Sequence, residues 1–124
     1  MKIFLYFKVG DQSGDRLEKI IKTHLPEVEM LVYRTIDGLS QSLRHPIEDS
    51  GVAILLVSNQ GDLQNILSIR HLFQNIRIIL LLPSKETEII TLAHQLRPRF
   101  LTNINTDLAE ITAVLKKMLK GQKV

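Results

Sequence analysis

Val52-Ala53-Ile54-Leu55-Leu56-Val57, followed by Ser58-Asn59-Gln60-Gly61-Asp62, is the stretch on which the fold turns. An apolar run with no polar alternation describes a strand covered on both faces, as in parallel sheets flanked by helices. Small polar residues and a glycine then make a turn at Gln60-Gly61-Asp62. Beyond it Leu63, Ile66, Leu67, Arg70 and Phe73 recur at helical spacing.

The same strand-then-helix unit recurs on both sides. Upstream, Ile3 to Phe7 is apolar and the polar stretch Val9 to Gly14 reads as a loop. Asp15 is the expected N-cap of a first helix, with Glu18 at capping-box spacing and Leu17, Ile20, Ile21 and Leu25 on one face before Pro26. Val28, Met30 and Val32 alternate with Glu29, Leu31 and Tyr33, which suits an edge strand. A short helix from Asp37 carries Leu39 and Leu43 and ends before Pro46, because the residue preceding a proline is pushed out of helical geometry. Downstream, Ile76 to Leu82 is a strand interrupted only by Arg77, and Pro83 breaks it. Ser84 is the expected N-cap of a helix with Ile89, Ile90, Ala93 and Leu96 inward, which Pro98 ends. Arg99 to Thr102 is a short fifth strand. Asn105 or Thr106 caps a last helix with Ile111, Val114, Leu115, Met118 and Leu119 inward, and Gly121 stops it.

Strands alternating with helices imply a parallel sheet, since parallel neighbours need crossovers and these are almost always right-handed. Five such units in 124 residues predict an α/β fold of flavodoxin-like, doubly wound type with strand order 2-1-3-4-5, one three-layer domain over residues 1–124. Ligands of such sheets bind at the carboxyl ends of the strands. The segments to inspect are therefore Lys8 to Ser13, Ser58 to Asp62, Pro83 to Lys85 and Thr102 to Asn105.

Composition narrows the function classes. With no Cys and no Trp there is neither a disulfide framework nor a thiolate zinc site. The apolar start is too short for a signal segment, and no run approaches the ~18 apolar residues that span a bilayer, so the cytoplasm is expected and a membrane partner is not. Lys116, Lys117, Lys120 and Lys123 follow the last acid, Glu110, and supply four charges of the net +3, leaving the rest of the chain one charge negative. Lysines at a helix C-terminus complement its dipole, and no basic stripe carries interleaved aromatics, which argues against nucleic acid. His24, His45, His71 and His94 fall on four helical segments without metal-ligand spacing, so no metal or cofactor is expected. The loop Gly10-Asp11-Gln12-Ser13-Gly14 lacks the run of threonines that wraps a flavin phosphate and would put two acids near it, no Trp or suitably placed Tyr is available to stack the flavin ring, and neither a dinucleotide fingerprint nor a P-loop is present.

Over nearly its whole length the chain resembles the receiver domains of two-component response regulators. The resemblance rests on the length, the five-unit rhythm and the segment Phe100-Leu101-Thr102-Asn103, similar to the family's aromatic-Leu-x-Lys stretch. It implies a signalling module in which acids after strand one and an aspartate ending strand three would hold magnesium and accept a phosphoryl group. A hydroxyl ending strand four and a lysine ending strand five would bind the phosphate oxygens. Carried over, the aspartate position falls on Val57 or Ser58, and neither can form an acyl phosphate. The hydroxyl position falls on Leu82 or Pro83 with Ser84 a residue or two late, and the lysine position falls on Asn103, followed by Ile104. The acid pair is reduced to Asp11 with Lys8 nearby, and Phe100 occupies the switch-aromatic position. The chain thus resembles a degenerate, or pseudo, receiver without catalytic residues.

Two functions follow as expectations. The first is a phosphorylation-independent module acting through protein partners in a signalling pathway, or as a homodimer. Its contact face would lie on helix four, strand five and helix five, with Glu86, Glu88, Arg97, Arg99, Lys116 and Lys120. The second is a sensor whose neutral pocket of Ser58, Asn59, Ser84, Thr102 and Asn103 holds a small polar or anionic molecule. For single residues the plainer reading competes. Ser58 and Asn59 are good turn formers, Asp62 is a natural N-cap rather than a displaced phosphoacceptor, and Asp11 is a remnant metal ligand or a solvated loop acid.

Overall fold

The computed structural model describes residues 2–45, 51–104 and 108–121. Strands β1 (Lys2–Tyr6), β2 (Glu29–Tyr33), β3 (Gly51–Leu56), β4 (Ile76–Leu82) and β5 (Phe100–Asn103) alternate with helices α1 (Gln12–His24), α2 (Ile36–Leu43), α3 (Gln60–Ser68), α4 (Thr87–His94) and α5 (Leu108–Gly121). The strands form one parallel sheet in the order β2-β1-β3-β4-β5, the expected doubly wound arrangement.

Side-chain alternation along the central strands feeds two cores. Phe4, Tyr6, Ala53, Leu55, Ile78 and Leu80 pack with Leu39, Leu63, Ile66 and Ala93 from α2, α3 and α4. Their neighbours Ile3, Leu5, Val52, Ile54, Ile79 and Leu81 point the other way, onto Leu17 and Ile21 of α1 and Ile111 and Leu115 of α5. Each such large side chain stabilises the fold by ~1.5–3 kcal/mol through burial. Strand β2 at the edge is only half-buried from Met30 to Tyr33, as its alternating sequence requires.

The helix starts depart from expectation. Helix α1 begins after Asp11, whose Oδ1 accepts from the Ser13 and Gly14 N–H groups at 3.0 and 3.3 Å, so Asp15 lies in the first turn instead of capping it. Gly10 makes this possible, because its φ of +88° turns the chain early. Thr35 caps α2 through Oγ1 to the Gly38 N–H at 3.0 Å. Helix α3 stops at Ser68, and Arg70–Phe73 forms a separate 3₁₀ turn. Ser84 is not the cap of α4, which begins three residues later at Thr87; its Oγ accepts from the Glu86 N–H at 3.4 Å. Helix α4 ends at His94, and Leu96 is buried in the turn beyond it. The boundary expected at Pro46 and the cap expected at Asn105 or Thr106 lie outside the described residues, and of Leu119 only the helical backbone is described.

Candidate functional site

Register defines the rim at the carboxyl ends of the strands. Leu56 pairs with Leu81, Leu81 with Thr102, and Leu82 with Asn103. The Val57 N–H donates to the Leu81 carbonyl at 2.9 Å and continues the ladder one residue past β3. Val57 therefore lies level with Leu82 and Asn103, and Ser58 one step above. Val57 is fully buried in the core under α2, α3 and α4.

The acid nearest this point is Asp62, only 1% exposed and the one buried carboxylate among the described residues. Asn59, not Asp62, caps α3: its Oδ1 accepts from the Asp62 N–H at 2.8 Å. The Asp62 side chain turns back, and its Oδ2 accepts from the N–H and the Oγ of Ser58, both at 3.1 Å. This is a capping box displaced by one residue, since the returning acid meets the residue before the cap. Its Oδ1 accepts from the Tyr6 hydroxyl at 2.7 Å, and Lys8 Nζ lies 4.0 Å away. A carboxylate is tolerated in the interior when its lone pairs are filled in this way. Burial, and then the Asp62 carboxylate, push the Tyr6 phenol far above its ordinary pKa, so it remains a donor.

Beside this cluster, the position after β1 is closed by an aromatic and a cation. The fully buried Phe7 ring packs so tightly on Gly14 that a Cβ there would lie 2.1 Å from it. The Arg34 guanidinium stacks 4.2 Å above the ring and pairs with Asp15 at 3.4 Å. Asp11 is neither free in solvent nor clustered with other acids, because it holds the start of α1. Among the described residues no group of three His, Asp or Glu side chains is placed to hold a metal ion. No helix of the described residues is long and apolar enough to cross a membrane.

The suggested neutral pocket forms in part. A cavity of about 350 Å³ is lined by Ser84, Thr102 and Asn103 with Lys85, Leu82, Ile90 and Leu101, whereas Ser58 and Asn59 do not line it. Phe100 is half-buried and packs toward the α1 and α5 core. Arg97, Arg99 and Lys116 are exposed, and Lys120 lies in the last turn of α5. Arg77 Nη1 donates to the Met118 carbonyl at 3.2 Å and ties β4 to that helix end; burial and the nearby Arg99 charge lower its pKa. Sequence reasoning missed the Tyr6–Asp62 pair. Two signals were available: a Tyr hydroxyl inside an apolar strand needs a partner, and Asn59 precedes Asp62 at capping-box spacing.

Fold, register and rim together define a CheY-like, receiver-type domain fold. The chain superposes on a response regulator receiver domain protein (CheY-like) from Methanospirillum hungatei JF-1 with a TM-score of 0.74 and 11% identity, over 98% of this chain and 95% of that one. It is also similar to a response regulator receiver protein from Dyadobacter fermentans DSM 18053, with a TM-score of 0.68 and 12% identity over 94% and 97%. No protein-family model and no curated protein matches the sequence.

Proposed function

We propose that this chain is a non-catalytic, receiver-like signalling module that engages protein partners without being phosphorylated. The observation that supports the reading is the end of β3, where a buried Val57 stands level with Leu82 and Asn103 and the nearest carboxylate, Asp62, is already bonded to Tyr6 and Ser58. An acyl phosphate needs an accessible carboxylate nucleophile, and magnesium needs several convergent oxygens. Asp62 answers neither need, since donors from three sides occupy it. The exposed Arg97, Arg99 and Lys116, with Lys120 on the same helix, form the contact face in this reading.

The test is an amide NMR titration with magnesium and then beryllofluoride, which mimics an acyl phosphate. The expected result is no saturable shift at Ser58, Asn59, Asp62 or Asn103. Saturable shifts there would restore a phosphorylation switch. The cavity beside Ser84, Thr102 and Asn103 favours a second reading, a sensor for a small anion held by Lys85 and hydroxyls. A ligand that binds only the native state raises the melting temperature, so a thermal-shift series with nucleotides and sugar phosphates separates the two.

A further inference from the structure

We infer that the opposite end of the sheet carries a docking groove for an acidic segment of a protein partner. A groove of about 820 Å³ runs between the 3₁₀ turn, the first residues of β4 and the end of α4. Its floor includes Phe73 and Leu96, each 6% exposed. Its rim carries Arg70, His71, His94 and Arg97, all exposed. Among the described residues no acid lines it. The chain also runs from Leu63 to Lys85 and from Ile89 to Thr106 without a single Asp or Glu. Among the described residues, the segments that form the groove therefore carry positive charge alone. Arg70 reaches across to the neutral Gln95 Oε1 at 3.4 Å, and among the described residues neither Arg70 nor Arg97 joins a salt bridge.

Arg97 leaves α4 with a φ of +52°, and Asn75 on the facing turn has a φ of +66°. Asn accepts the left-handed region readily; Arg does not, and glycine is the usual solution at a helix exit. Arg97 takes this conformation directly before Pro98, which disfavours continuation of the helix at the preceding residue.

Charge and shape select the occupant. A ring of cations suits a segment bearing carboxylates. Single-stranded nucleic acid would need exposed aromatic rings on which to stack, and Phe73, the aromatic of the groove, is buried. The groove lies at the amino ends of the strands and shares Arg97 with the contact face proposed above, but it does not involve the carboxyl-end rim, so it survives if phosphorylation there is demonstrated.

The test uses a synthetic Glu-rich peptide, and the same peptide with Gln for Glu, in amide NMR and fluorescence anisotropy titrations. The Glu peptide is expected to shift the Arg70, Phe73, Leu96 and Arg97 amides and to bind at least ~10-fold more weakly to R70E/R97E, the effect of losing about 1.4 kcal/mol. R97G removes one charge while easing the turn, so a weaker but measurable loss in a protein with an unchanged fold is expected. R16E/K19E, a charge-matched change on the exposed face of α1, leaves binding intact. Four results would each overturn the inference: no shift at these amides, equal binding of the Gln peptide, an equal loss in R16E/K19E, or tighter binding of oligothymidylate at the same residues.

Discussion

At Asp62 one side chain joins three parts of the fold: the end of β1 through Tyr6, the end of β3 through Ser58, and the first turn of α3 to which it belongs. Replacing it with Ala leaves the Tyr6 hydroxyl and the Ser58 N–H without their acceptor. The expected loss is ~3 kcal/mol in urea denaturation, the usual scale for orphaning a buried charged network. Lys8 adds little to this, since its half-exposed ammonium is 4.0 Å from the carboxylate and screened by water. Tyr6→Phe removes one bond to a charged acceptor and is expected to lose ~2 kcal/mol. The raised Tyr6 pKa also fixes a pH dependence. Below the ordinary tyrosine value of about 10 both folded and unfolded chains keep the proton, and the stabilising bond is fully present. Above it the unfolded chain ionises first, so stability falls as pH rises toward the folded value. Wild type should therefore lose urea stability more steeply than Tyr6→Phe above about pH 10; parallel curves would show that Tyr6 is not the group responsible. Arg97→Gly relieves a left-handed φ and is expected to stabilise the protein by ~1 kcal/mol, read as a higher melting temperature.

Between elements, the closest constraint is the seat of α1 on the end of β1. Gly14 faces the Phe7 ring, itself fully buried under Arg34, so neither partner has room to move. Gly14→Ala is expected to destabilise by ~2–3 kcal/mol despite alanine's better helix propensity, because overpacking here outweighs the ~1 kcal/mol propensity gain. A rise in the urea midpoint would show that α1 can lift off the strand. The same junction shows what the sequence discloses and what it conceals. Ile76 to Leu82 is legible because a strand buried on both faces leaves a continuous apolar run, and the observed β4 has those same ends. The start of α1 is not, because Asp11 and Asp15 are both good caps, and only the turn permitted by Gly10 decides between them. The exit of α4 is hidden for a related reason: Leu96 is apolar at helical spacing, yet it is buried from a turn. The rim of the sheet is legible as a place, since the strand ends locate it. Its chemistry is less so, because the Tyr6–Asp62 bond joins residues 56 positions apart and depends on the α3 cap aiming the carboxylate inward.

For the whole molecule, the decisive property is that β1, β3 and β4 belong to both cores at once. Ile54 faces α1 and α5 while Leu55, the next residue, faces α2, α3 and α4. Neither face can then be lost without disturbing strands that the other needs, which predicts one cooperative transition. The protein's two tyrosines provide a test, because Tyr6 and Tyr33 both pack on the α2, α3 and α4 side. Tyrosine fluorescence thus reports one core, whereas far-ultraviolet circular dichroism reports helices of both. Ile54→Ala opens a cavity in the opposite core and is expected to cost ~2–5 kcal/mol. In a single cooperative unit the urea midpoint falls by the same amount for both probes, with an unchanged slope. If the faces unfold separately, the dichroism transition shifts and broadens while the fluorescence transition stays where it is in wild type. Coincidence of the two probes means that a partner bound at either end of the sheet stabilises the entire chain, because each rim is built on the same three strands.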